Sequence, residues 1–170
     1  MRLHIGGREP RPDWTLMNIQ PGEGVDVVGD ISDLSQFADE SCDCVYASHV
    51  LEHIHQAAVA PTLRGIRRVL KPGARLYVSV PDLDTLCMLL LQPDLDLHVR
   101  WHIVRMMFGG QVDANDFHFV GFNQAILYDF LSGAGFASAQ RVRSFGLFDD
   151  TSDYRPYGDL PISLNVIATR

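Results

Sequence analysis

Residues Leu3–Gln20 read "LHIGGREPRPDWTLMNIQ": an apolar strand runs into two glycines, and a second apolar strand follows a short, proline-bearing connection. Open α/β sheets bind nucleotide-like ligands at the carboxyl ends of their strands, and glycine there permits positive φ and close backbone approach. The connection from Gly6 to Trp14, with Pro10 and Pro12 inside it, is too short for a helical crossover between parallel strands. If those two strands are parallel neighbours, the helix between them has shrunk to a turn. The dipole that a helix would aim at the site is then lost.

Outward from this stretch the pattern alternates. Strands are expected at Arg2–Ile5, Thr15–Ile19, Val25–Val28, Cys44–Ala47, Leu76–Val80, Gln140–Arg143 and Ser163–Ala168. Helices are expected at Val59–Leu70, Leu83–Leu91, Leu97–Met107 and Gln124–Gly133, the last opened by Asn123. In "VLKPGARLYVSVP" the helix should stop at "KPG", where a β-branched run takes over. Strands separated by helices imply a mostly parallel sheet with helices on both faces. The stretch "GLFDDTSDYRPYGDLP" before the last strand reads as a long loop, a common carrier of function.

Composition narrows the class. At 170 residues, the chain is expected to form a single domain over 1–170, with 46% hydrophobic residues to fill its core. A net charge of -7 without a basic cluster argues against nucleic acid as partner. The longest apolar run, "LCMLLL", is too short to span a bilayer. No secretory signal is visible, and three cysteines form no disulfide framework, so a cytoplasmic setting is expected.

The order "LHIGG", "DWTLMNI", "VDVVGDISDL", "SCDCVYASHVLEHI", "LRGIRRVLKPGARLYVSVPDL" and "LSGAGF" resembles a class I S-adenosylmethionine-dependent methyltransferase over nearly the whole chain. More closely, it is similar to short bacterial proteins of the methyltransferase type 11 kind, some encoded near polysaccharide genes. The resemblance implies a Rossmann-like three-layer sandwich: a mostly parallel seven-stranded sheet with an antiparallel last strand, here with a shortened first crossover. It implies S-adenosylmethionine as cofactor and a small-molecule or saccharide acceptor. By position, Gly6 and Gly7 would form the turn at the methionine moiety, and Asn18 would stand where the family has an acid on the ribose. Asp30 and Ile31 would touch adenine, and Ser48 and His49 would line the mouth of the fourth strand.

Two departures bear on this reading. The glycine turn is incomplete, and an amide replaces the ribose acid. An amide still donates and accepts, so Asn18→Asp is expected to keep or improve cofactor affinity. The first departure keeps a second reading open, a non-catalytic scaffold. A nicotinamide oxidoreductase is disfavoured, since no glycine fingerprint opens a helix with a downstream acid.

Candidate chemistry lies in two further patches. In "SHVLEHIH", His49 and His53 are four apart and would share a helix face, with His49 as a proton acceptor, His53 near substrate, and Glu52 bracing the turn. In "MMFGGQVDANDFHFVGFN", Asp116 and His118 could act as orienter and base over the substrate. Asp82, after the fifth strand, is either a helix cap or a substrate contact. Cys42 and Cys44, one residue apart, lack the spacing of a zinc pair, so no metal is expected. Without a helix before its first strand, the chain could cover a bare sheet face by forming a homodimer.

Overall fold

No α-helix separates the first four strands. In the computed structural model, which covers residues 1–170, β1 (Arg2–Ile5), β2 (Trp14–Asn18), β3 (Val27–Val28) and β4 (Cys42–Ser48) are joined only by turns. The first helix, α1 (Gln56–Val69), leads into β5 (Leu70–Pro81). Then follow α2 (Leu83–Leu90), α3 (Leu97–Phe108), α4 (Gln124–Gly133), β6 (Ser138–Val142) and β7 (Ser163–Thr169). The strands form one seven-stranded sheet in the order β3-β2-β1-β4-β5-β7-β6. β7 alone runs against its neighbours, antiparallel to both β5 and β6. This is the Rossmann-like α/β architecture with the truncated first crossover.

The truncation works because β1 and β2 are held by their ladder and by a left-handed turn. Leu3 pairs with Thr15 and Ile5 with Met17 in parallel register, and Asp13 (φ 68°) turns the chain back into β2.

One face of the sheet is packed conventionally. Val59, Leu63 and Ile66 repeat at helical spacing along α1 and are buried with Leu127 and Leu131 of α4 against Leu3, Val45 and Val78. Each such side chain contributes about 1.5–3 kcal/mol by leaving water. Asn123 opens α4 by accepting from Ile126 N at 2.9 Å, as its sequence position implied.

The other face carries aromatic rings in place of the missing helices. His4, Trp14 and Tyr46 project from β1, β2 and β4, and Phe148 lies against all three, 4.2 Å from the His4 ring centre. Tyr46 Oη donates to Asp150 at 2.8 Å, and Asn165 of β7 donates to the carbonyls of Arg143 and Ser152. These bonds hold residues 143–153 on the sheet. The face expected to be bare is therefore covered by the chain itself, which removes the reason given for a homodimer. The stretch Gly146–Pro161, read as a functional loop, contributes no residue to the cleft described below. Ile162, just beyond it, packs with Leu86 of α2 and Ile103 of α3 in a separate small cluster.

Two local expectations change. "KPG" does not end the helix: α1 stops at Val69, and Lys71–Gly73 form a bulge inside β5, between the pairs Cys42–Leu70 and Cys44–Arg75. Gly73 at φ 74° supplies the left-handed step. "SHVLEHIH" is not α-helical either. His49 adopts φ 52°, a 3-10 turn covers Leu51–His53, and α1 begins only at Gln56. His49 and His53 thus share no helix face.

Candidate functional site

The carboxyl ends of β1, β2 and β4 converge on a cleft of about 610 Å³. Its first wall is the turn after β1. Gly6 has φ 82°, and a Cβ there would sit 2.3 Å from Val50 Cγ2, so only glycine fits without displacement. Asn18, at the end of β2, donates from Nδ2 to the carbonyls of Gly6 (3.2 Å) and Gly7 (2.9 Å), while its Oδ1 accepts from Gln20 N at 2.9 Å. The side-chain donors of Asn18 are therefore used in holding the turn. A carboxylate could not make those two bonds, because it would face two carbonyl oxygens with no proton to offer.

Below this turn Asp30 borders the cleft, its Oδ1 accepting from Ser32 N and Oγ at 2.8 Å each. Ile31 beside it is 5% exposed and supplies an apolar floor. Arg8 also lines the cleft and donates to Gln20 at 3.1 Å. It places a cation where the helix amino terminus would otherwise lie.

The second wall follows β4. His49 Nε2 lies 2.9 Å from Ser163 Oγ, and that hydroxyl donates to Thr151 O, so the imidazole is the donor. His49 Nδ1 is 3.2 Å from Glu52 Oε1, without the alignment of a hydrogen bond. Glu52 is 1% exposed, and neither carboxylate oxygen receives a hydrogen bond. Burial pushes its pKa up, but the facing imidazoles of His49, His53 and His118 outweigh this and leave it below the ordinary value. The His53 and His118 rings meet edge to face at 4.7 Å. Burial lowers the pKa of His118, against the pull of Glu52.

The rim is the α3–α4 connection. Gly109 (φ 86°) turns the chain so tightly that a Cβ would meet Asp116 O at 2.2 Å. Val112–Asp116 and Phe119 then border the cleft. Gln20 Nε2, 3.5 Å from Asp113 Oδ2, bridges this rim to the end of β2.

Of the residues expected from the sequence, Gly6, Asn18, Asp30, Ile31, His49, His53 and Asp116 border this one cleft. Four lie elsewhere. Gly7 faces the aromatic layer, where a Cβ would lie 2.3 Å from the His4 ring. Ser48 is two residues from Tyr46, on the same side of β4, and its hydroxyl is buried without a partner. Asp82 is 1% exposed and braces the fold, accepting from Arg141 at 2.7 Å and Thr85 at 3.0 Å. His118 sits behind the wall, beside Glu52 and His53. Arg8, Gln20, His55, Asp113 and Phe119 border the cleft without having been expected there. His55, Asp113 and Phe119 lie in the two patches singled out above, but no local signal joins them to the end of β2: Gln20 and Asp113 meet across 93 residues of sequence.

The family of methyltransferase domains matches residues 15–78. The match covers 64 of the 170 residues and likens this part of the chain to methyltransferase domains. Among solved structures, the chain is similar to an S-adenosylmethionine-dependent methyltransferase from Archaeoglobus fulgidus, at TM-score 0.64 and 16% identity over 99% of this chain and 85% of that one. It is also similar to the 1,6-didemethyltoxoflavin-N1-methyltransferase of Burkholderia thailandensis, solved with S-adenosylhomocysteine, at TM-score 0.60, 16% identity, and 99% and 70% coverage. A 37.1 kDa protein in transposon TN4556 of Streptomyces fradiae is 40% identical over 84 residues, 46% of this chain. The chain spans 23% of that relative's length. No helix is long and apolar enough to cross a membrane.

The matched methyltransferase domain indicates S-adenosylmethionine as cofactor, and the cleft suits it in two respects. The Gly6 cradle leaves space that a Cβ would fill, and Asp30 keeps one carboxylate oxygen free beside an apolar floor. The ribose acid is the feature without a counterpart, since Asn18 is engaged with the turn.

Proposed function

We propose that this domain binds S-adenosylmethionine in the β1–β2–β4 cleft and transfers its methyl group to a small-molecule or saccharide acceptor. The observation that carries the reading is the convergence of Gly6, Asp30 and Ile31 on one cleft at the carboxyl ends of the strands. The cofactor, when bound, supplies an electrophilic methyl group. Gly6 lets the backbone approach it, Asp30 accepts from an exocyclic amine, and Arg8 offers a cation to a carboxylate. His49 and His53 border the acceptor's side, and Asp116 belongs to the rim that covers it. In such a displacement, holding the two reactants in line supplies much of the acceleration. The free state of Cys42, Cys44 and Cys87 supports a reducing compartment.

Without a helix after β1, few aligned amides face the cofactor's carboxylate, so binding should be weak. A dissociation constant of tens to hundreds of micromolar is expected, about -5 to -7 kcal/mol. Calorimetric titration with S-adenosylhomocysteine tests this, together with the Asp30→Ala variant, which should bind several-fold more weakly. Binding without turnover on any hydroxyl or amine acceptor would favour the scaffold reading, which the missing helix supports. No heat at millimolar ligand would overturn the cofactor reading itself.

A further inference from the structure

We propose that Glu52, His53 and His118 form a binding site for one divalent transition-metal ion, zinc-like in its preferences, in the wall of the cleft. One ligand atom from each lies within 4.8 Å of the others. Zinc–ligand bonds of about 2.0–2.1 Å set tetrahedral ligand atoms roughly 3.4 Å apart, so no pair of ligand atoms needs to close by more than about 1.4 Å.

Three independent observations point the same way. First, Glu52 is 1% exposed and faces His49 Nδ1 at 3.2 Å from Oε1, yet neither carboxylate oxygen receives a hydrogen bond, and His118 Nδ1 is likewise buried and unpartnered. A buried charge without hydrogen bonds is costly, and pairing or metal coordination is how proteins offset that cost. Second, the His53 imidazole is already oriented. His53 Nδ1 is 3.2 Å from Phe117 O, so it carries the proton there and leaves Nε2 bare to act as ligand. Third, the two pieces of chain are clamped together by one backbone and one side-chain hydrogen bond. Phe119 N donates to Glu52 O at 2.8 Å, and Gln56 Nε2 donates to Phe119 O at 3.4 Å. The arrangement of ligands does not wait for the ion.

Two imidazoles and one carboxylate favour zinc, cobalt or nickel over magnesium and calcium, which prefer oxygen cages. Three protein ligands leave a coordination position open, the pattern of a site that takes a further ligand. His53 also borders the cleft, so an ion held by it would lie against whatever occupies that space. The site does not depend on the methyltransferase reading.

The test uses the full chain, stripped with a chelator and dialysed. Cobalt(II) should give ligand-field bands in the visible, displaced by zinc(II) at one ion per chain, with micromolar or tighter affinity and a rise of several degrees in Tm. Magnesium should do neither. His53→Ala and His118→Ala should each weaken zinc binding by about 100-fold, whereas His98→Ala, which removes an exposed imidazole on α3, should not change it. Should Glu52→Gln or either alanine variant fail to fold, His118→Asn, which keeps a polar side chain, decides. Absence of cobalt bands and of zinc-induced heat in the wild type overturns the proposal, and so does stoichiometric binding that survives both histidine variants. S-adenosylhomocysteine titrated into the metal-free protein gives an independent signal, so the loss of one reading is distinguishable from the loss of the other.

Discussion

On one side of the cleft, the ends of β1 and β2 present a glycine turn clamped by a neutral amide and backed by aromatic rings. On the other, the end of β4 presents a buried carboxylate ringed by three imidazoles. The first wall is specified by shape: Gly6 against Val50, Gly7 against His4, Asn18 against two carbonyls. The second is specified by charge. Substitutions of Gly6 and Asn18 should therefore act through geometry and strain, whereas those of Glu52 and its imidazoles, like that of His4 behind the first wall, should act through ionisation or ligands.

The largest effect is expected at Gly6. Gly6→Val combines a side chain at φ 82° with a 2.3 Å approach to Val50 Cγ2, and should cost about 3–4 kcal/mol of stability and abolish measurable S-adenosylhomocysteine binding. Adding Val50→Ala should restore part of the stability, since it removes the clash but not the strained φ. Full restoration, read by urea unfolding, would show that backbone strain contributes nothing there.

Next comes the acid limb. Burial among Trp14, Tyr46 and Phe148 lowers the pKa of His4 to about 4 from 6.5, with Asp150 pulling it up and Arg11 pushing it down. The unfolded chain therefore takes up the proton first as pH falls. The stability held by neutral His4 is complete above pH 6.5 and is lost progressively toward pH 4, by about 3 kcal/mol in all. His4→Phe keeps the aromatic packing and should flatten that part of the pH profile. An unchanged profile would mean that another group governs the acid transition.

The smallest effect sharpens the contrast most. On sequence grounds Asn18→Asp should keep or improve cofactor affinity. With Nδ2 donating to Gly6 O and Gly7 O, the reverse is expected: about 1–2 kcal/mol lost in stability and roughly tenfold in affinity. Tighter binding by the aspartate variant would return Asn18 to the ribose role and make the first wall electrostatic as well.

The alternation of strands and helices, the site of the glycine turn, the short first crossover and the Asn123 cap were all legible in the amino-acid sequence. Each depends on local chemistry: hydrophobic period, φ permission, chain length or a side chain reaching its own backbone. The presence of Gly6, Asn18, Asp30 and His49 at one cleft was legible because strand ends in a parallel sheet share an edge. What only the tertiary structure decided is which face each residue serves. Gly7 and Ser48 are neighbours of cleft residues, yet both face the aromatic layer: Ser48 because side chains alternate along β4, Gly7 because the turn after β1 carries it over the His4 ring. The partners of Asn18, the cover laid by Phe148 and the meeting of Glu52 with His118 depend on contacts between segments far apart in the chain. No local period encodes such contacts; they exist only once the sheet has brought the segments together.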